Sequence, residues 1–102
     1  MDAPPPKPAA EPPPLHLVKG EEIAVPETLL KVLLVDWLYG LGRDDAGNER
    51  LIAIATLQVR GPDGTVQQVE WETGHEYAAH GRRFRILVQR YDVFLYALPP
   101  AP

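Results

Sequence analysis

Alternating apolar and polar positions mark two neighbouring strands in the middle of the chain. Between residues 50 and 60 one set of alternate positions is apolar throughout, and between residues 65 and 72 Gln67, Val69 and Trp71 alternate with polar side chains. A period of two is that of a β-strand, and as strand residues both Trp71 and Trp37 are expected in the core. The Gly-Pro-Asp-Gly sequence at residues 61–64 is typical of a type I turn followed by a residue of positive φ. The pattern therefore predicts a β-hairpin over residues 50–72.

Three other segments have the composition of strands. Residues 83–88 alternate, and a short strand is predicted at residues 21–25, after Lys19 and Gly20. Residues 93–98 are apolar at every position, which indicates a central or doubly covered strand.

The segment at residues 27–40 has two interpretations, and the fold class depends on it. A helix would begin after Pro26 and end at Gly40, with leucines on one face. A strand is favoured, because the segment is apolar nearly all round and residues 42–48 after it have turn composition. The strand predicts an all-β protein, an antiparallel β-sandwich or small barrel of six or seven strands. The helix predicts an α+β fold with one helix at about residues 27–40 packed on an antiparallel sheet.

The two ends of the chain are rich in proline. Seven of the first 14 residues are Pro, so residues 1–14 are expected to be a disordered Pro-rich linker. Residues 15–98 are expected to form a single β-rich domain. Residues 99–102, Pro-Pro-Ala-Pro, form a Pro-rich tail that stops the last strand.

Composition excludes several kinds of chemistry. The 102 residues include no Cys and no Ser, which removes disulfides, thiolate ligands and both Ser and Cys nucleophiles. The net charge is −4, which argues against nucleic acid as a partner.

His75 and His80 are the candidates for metal ligands or a general base. Their spacing of five separates them by about 140° on a helix, so the two-histidine motif of zinc proteases is not met. We expect both in a loop between two strands. Glu70 and Glu72 are expected on one solvated strand face rather than across a catalytic cleft. The sequence thus predicts no catalytic residue, no metal site and no cofactor.

A basic and aromatic cluster gives the candidate binding residues. They are Arg82, Arg83, Arg85, Arg90 and Tyr91. Such a surface could contact an acidic protein partner, or it could only balance Glu70 and Glu72 on a neighbouring strand.

The prediction is therefore a soluble, non-enzymatic interaction or adaptor module. A protein partner would bind at a strand edge or at the residue 82–90 surface. The alternative is a small-ligand, carbohydrate-like binding domain that uses aromatic side chains and the loops around residues 41–49 and 74–81. Its pocket would be lined by Tyr39, Trp71, Tyr77 or Tyr91. The Pro-rich linker favours a periplasmic or cell-envelope location over the cytoplasm, with membrane association only indirect, through an anchor outside this sequence. The pattern does not fix the oligomeric state.

Overall fold

Eight β-strands and no helix make up the part of the chain that the computed structural model describes, residues 13–99. In chain order the strands are β1 (Leu15–Leu17), β2 (Glu22–Ala24), β3 (Lys31–Arg43), β4 (Glu49–Arg60), β5 (Val66–Glu72), β6 (Glu76–Ala79), β7 (Arg82–Val88) and β8 (Val93–Ala97).

The strands form two antiparallel four-stranded sheets. The order is β1-β8-β7-β6 in the first sheet and β2-β3-β4-β5 in the second. The predicted all-β class and sandwich architecture are confirmed. The described residues contain more strands than the predicted six or seven because β1 and β6, of three and four residues, are too short to show an alternation.

The helix considered for residues 27–40, and with it the α+β alternative, is wrong. The segment forms a turn and then β3, which pairs with β4 along its whole length, from Lys31 opposite Arg60 to Arg43 opposite Glu49. A bulge between Leu34 and Asp36 interrupts the ladder. Pairing with a strand of similar length gives β3 backbone hydrogen bonds along one edge, and this tertiary effect outweighs the helix propensity of its leucines.

The core lies between the facing sides of the two sheets. From β4 it receives Ala53, Ala55, Leu57 and Val59, all buried. From β7 it receives Phe84, Ile86 and Val88. Trp71 is buried, as predicted, and stacks on Phe84 with ring centroids 5.6 Å apart. Trp37, also expected in the core, is only partly buried and packs against it.

The predicted hairpin at residues 50–72 is confirmed as β4 and β5. The amide of Gly64 donates to the carbonyl of Gly61 at 3.0 Å, and Gly64 has φ of 85°, the positive value predicted there. The prediction for residues 93–98 is confirmed as well, because β8 lies between β1 and β7 in its sheet. Its outward rings are covered by side chains: Phe94 stacks on His16, and the Arg85 guanidinium lies over Tyr96.

The predicted linker and tail lie mostly outside the described residues. Of the 1–14 segment only Pro13 and Pro14 are described, and of the 99–102 segment only Pro99; all three are exposed. The assignment of these ends as linker and tail stays a prediction.

Candidate interaction surface

The predicted basic cluster falls into two separate groups. Arg82, Arg83 and Arg85 lie on β7, whereas Arg90 and Tyr91 lie in the turn between β7 and β8, at the other end of the strand. At about 3.3 Å per residue, Arg82 and Arg90 are separated by roughly 25 Å. The structure therefore does not bring the five residues together as one site.

Two of the three β7 arginines, Arg83 and Arg85, are engaged within their own sheet. Arg83 pairs with Glu76 of β6, with Nη1 2.9 Å from Oε1, and its Nη2 donates to the carbonyl of Pro99 at 2.9 Å. Arg85 lies 5.3 Å from the centroid of the Tyr96 ring. The acidic neighbour of Arg83 is thus Glu76 rather than the expected Glu70 or Glu72. Glu72 instead pairs with Arg50 of β4.

The two candidate histidines lie in different parts of the fold. The expected loop between them contains β6, so they lie at its opposite ends. His80 Nε2 is 3.0 Å from the carbonyl oxygen of Val59, which ties the first sheet to the second. His75 is exposed, with its Nε2 3.9 Å from a carboxylate oxygen of Glu72. Within residues 13–99 no three His, Asp or Glu side chains gather as a metal would require.

The aromatic side chains are divided between core and surface. Trp71 stacks on Tyr77 with centroids 5.3 Å apart, and the Tyr77 hydroxyl accepts a hydrogen bond from the amide of Glu72 at 2.9 Å. These two rings are packing residues. Tyr39 and Tyr91 are exposed.

The most exposed apolar element is the far part of the β3–β4 hairpin. β2 pairs with β3 only at residues 31–33, and β5 pairs with β4 only at residues 54–60. Beyond these pairings the hairpin continues as a two-stranded ribbon, residues 37–53, which we call the arm. The other sheet covers the arm at Ala53, which is buried, but not at its outer half.

The arm exposes apolar side chains on both faces. Leu41 and Leu51, opposite each other on the core-side face, are 75% and 48% exposed. Leu38, on the other face, is 59% exposed. These exposed leucines make the arm a candidate binding surface.

One edge of the arm has backbone groups that point away from the hairpin. The amide of Asp44 donates to the carbonyl of Asn48 at 2.9 Å, so residues 44 and 48 are a hydrogen-bonded pair of the β3–β4 ladder. Because bonded and non-bonded pairs alternate in an antiparallel ladder, residues 42, 40 and 38 bond to β4. Tyr39, Leu41 and Arg43 therefore direct their N–H and C=O groups outward. We call this row the arm edge; no strand within residues 13–99 pairs with it.

Polar contacts fix the base of the arm. The indole Nε1 of Trp37 donates to the carbonyl of Arg90 at 3.3 Å, which places the β7–β8 turn beside the arm. The amide of Trp37 donates to the Asp36 carboxylate at 2.8 Å, and Lys19 lies 3.3 Å from the same oxygen. The amide of Trp37, and then Lys19, hold the pKa of Asp36 below its ordinary value. Lys19 and the backbone of Arg90 thus lie at the base.

The tip of the arm is acidic. Asp44 accepts hydrogen bonds from the amides of Ala46 and Asn48 at 3.0 and 2.9 Å, which closes the turn. Asp45 and Glu49 are exposed beside it. The arm therefore has an acidic tip, an apolar middle and a base that holds the Lys19–Asp36 ion pair and adjoins Arg90.

The sequence indicates residues 41–49 and Tyr39 only as parts of a ligand pocket, and it does not indicate the arm as a surface for strand addition. It placed Leu51 on the same apolar face as the core residues of β4, and the structure exposes it. The lengths of the strands are the signal from which the arm could have been predicted. β3 and β4 have 13 and 12 residues and β5 has 7, so part of the hairpin had to extend beyond its neighbour.

No protein-family model matches this chain, and neither a curated protein nor a solved structure is similar to it. Residues 13–99 contain no helix of the length and apolarity needed to cross a membrane.

Proposed function

We propose that this protein is a non-enzymatic interaction module that binds an extended segment of a protein partner along the arm edge. The observation that carries the proposal is a row of outward backbone groups on β3 between exposed apolar side chains. When a peptide adds to a sheet edge, main-chain hydrogen bonds supply affinity and alternate side chains supply specificity. The arm edge offers both.

The lack of edge protection supports this use. Proteins usually prevent pairing at an exposed edge with proline, inward-pointing charge, a short strand or a covering loop. The arm edge has no proline, and its one charged residue is Arg43, next to the tip. Leu41, at its centre, is an exposed leucine. An edge of this kind is either an aggregation hazard or a binding site.

The other candidate surfaces receive less support. The Arg83 side chain is held by Glu76 and the Pro99 carbonyl, so a partner would have to displace both contacts. A carbohydrate-like ligand would need exposed aromatic faces, whereas Trp71 and Tyr77 pack on each other. A lipid surface fits the arm poorly, because the acidic tip would have to enter an apolar phase.

Site-specific photo-crosslinking in extract of the source cell tests the proposal. A photoreactive phenylalanine derivative is placed at Leu41, on the arm edge, and in a second sample at Leu29, in the turn before β3. The two positions are matched, because both are leucines and they are 75% and 79% exposed. We expect a discrete crosslinked protein band from position 41 and none from position 29.

The band must also depend on the edge. Because position 41 carries the crosslinker in the first sample, Leu41→Pro cannot be tested there. The crosslinker is therefore moved to Tyr39 and combined with Leu41→Pro or with Leu51→Pro. Leu51 faces Leu41, but its amide points to the opposite edge of the arm. The band should disappear with the first change and persist with the second. Equal bands from positions 41 and 29, or no band from either, would contradict the proposal.

A further inference from the structure

We infer that the segment bound at the arm edge is the arm edge of a second copy of this chain. The two β3 strands would run antiparallel, with a two-fold axis through Leu41. The arms would then join two β2–β5 sheets into one continuous sheet. This inference rests on the proposed function and names its partner.

The outward backbone groups match under this symmetry. With Leu41 opposite Leu41 of the second copy, Tyr39 lies opposite Arg43. These pairs use the outward amides of Tyr39, Leu41 and Arg43. The next outward amide, that of Trp37, is not used because it already donates to the Asp36 carboxylate. In an antiparallel ladder each such pair exchanges two hydrogen bonds.

Charge complementarity selects the antiparallel arrangement. Antiparallel pairing brings the acidic tip of each arm, with Asp45, to the base of the other. Arg90 adjoins that base, because its carbonyl accepts a hydrogen bond from the Trp37 indole, and Lys19 lies there in an ion pair with Asp36. In this register Asp44 lies opposite Leu38, whereas a shift of the axis to Gly40 would place Asp44 opposite Asp36. A parallel arrangement would instead bring the two acidic tips together, which is unfavourable.

The side chains on the core-side face also match. Leu41 would meet Leu41 across the axis, and each Tyr39 ring would meet an Arg43 guanidinium, which is attracted to aromatic faces. Leu41, 75% exposed in the single chain, would become the centre of the interface. Self-complementarity of this kind is what an isologous dimer requires.

The N-terminal segment of the same chain is a poorer occupant. Five of its first twelve residues are Pro, which lacks the amide that a ladder needs. A second copy supplies the outward amides, the leucine and both signs of charge.

Sedimentation equilibrium of the full chain, and of two proline variants, tests the inference. We expect the wild type to dimerise. Leu41→Pro removes an outward amide at the centre of the interface, so Kd should rise at least about thirtyfold, as for the loss of a central hot spot. Leu51→Pro is the matched control: it removes an outward amide and an exposed leucine from the other edge, and the dimer should remain. Circular dichroism confirms that both variants keep their strands.

A charge exchange tests the register without touching the ladder. Asp45→Arg and Arg90→Asp should each raise Kd about fivefold at low salt, because each places like charges at both ends of the interface. Combined in one chain, they should restore most of the affinity. Arg90 contributes its carbonyl rather than its side chain to the Trp37 contact, so its replacement leaves the base of the arm intact.

Three results would overturn the inference. The first is a wild-type chain that stays monomeric up to about 1 mM. The second is a dimer that Leu51→Pro disrupts as strongly as Leu41→Pro. The third is a double charge variant whose Kd is no lower than that of either single variant. The first result, together with an edge-dependent crosslink to a different protein, would refute self-association and leave the proposed function standing. A dimer whose Kd is unchanged by either proline substitution, together with no crosslink at position 41, would refute both the inferred self-association and the proposed function.

Discussion

At the scale of single residues, the contact between Gly61 and His80 shows how the two sheets are held together. His80 belongs to the turn between β6 and β7, where it and Gly81 have φ of 49° and 75°. Two successive positive φ values make the tight turn that suits a two-residue hairpin. The turn aims the imidazole at the end of β4, where Nε2 lies 3.0 Å from the Val59 carbonyl. The ring then covers Gly61, which is buried.

We expect Gly61→Ala to destabilise the fold. A Cβ at Gly61 would lie 2.6 Å from His80 Nδ1, and the hydrogen bond to Val59 keeps the ring from moving aside. The free energy of unfolding should fall by about 1–3 kcal/mol, the usual cost of overpacking. Gly40→Ala is the control, because a Cβ there meets nothing within 4 Å, and it should change stability by less than about 0.5 kcal/mol. Urea denaturation measures both, and equal effects would mean that the ring is not fixed.

At the scale of the element, the bulge in β3 decides which backbone groups face outward. Before the bulge, the carbonyl of Leu34 points away from β4 and accepts from the amide of Gly20 at 2.8 Å. The extra residue between Leu34 and Asp36 shifts by one residue which backbone groups of β3 bond to β4. Beyond it, even-numbered residues bond to β4 and odd-numbered ones point outward. The bulge therefore keeps Trp37 and Tyr39 on the core-side face while it sets the arm edge.

Amide hydrogen exchange should alternate along the arm. At a concentration low enough to keep the chain monomeric, we expect slow exchange at Leu38, Gly40 and Gly42, because these amides bond to β4. Tyr39, Leu41 and Arg43 should exchange much faster. NMR of each amide measures the pattern, and raising the concentration should protect the fast set alone if the edges pair. Uniform rates along the arm, or the opposite alternation, would contradict the assigned phase.

At the scale of the whole molecule, the core and the arm have separate roles. The core is made by the facing sides of the two sheets, with Leu57 and Phe84 fully buried. The outer half of the arm contributes no buried residue. Folding stability should therefore come from the sandwich, and binding from the arm.

Replacing residues 41–51 by Asn-Gly should leave the fold intact. Gly40 and Ile52 form a hydrogen-bonded pair in the ladder, which a two-residue turn can close. We expect the free energy of unfolding of the monomer to change by less than about 1 kcal/mol, because a surface segment is removed. Leu57→Ala, by contrast, should cost about 2–5 kcal/mol through the cavity it leaves. Urea denaturation compares them, and a shortened chain without a cooperative transition would show that the arm is structural.

The sequence by itself determined the strands and their turns wherever local chemistry was sufficient. The alternation at residues 50–60, the Gly-Pro-Asp-Gly turn and the apolar run at residues 93–98 each have one good local solution, and the structure adopts it. The class of the fold followed from these elements. The segment at residues 27–40 stayed open, because its leucines suit a helix and a strand alike.

Only the tertiary structure decided which apolar residues are covered. Leu51 and Leu57 occupy equivalent positions in one alternating pattern, yet Leu57 is buried and Leu51 is 48% exposed. The difference comes from where the opposite sheet ends, which is a property of strands distant in sequence. The same holds for the arginines, because a local cluster in the sequence becomes two groups at opposite ends of β7. Periodicity tells which side chains share a face, whereas the extent of the neighbouring sheet determines which part of that face meets solvent.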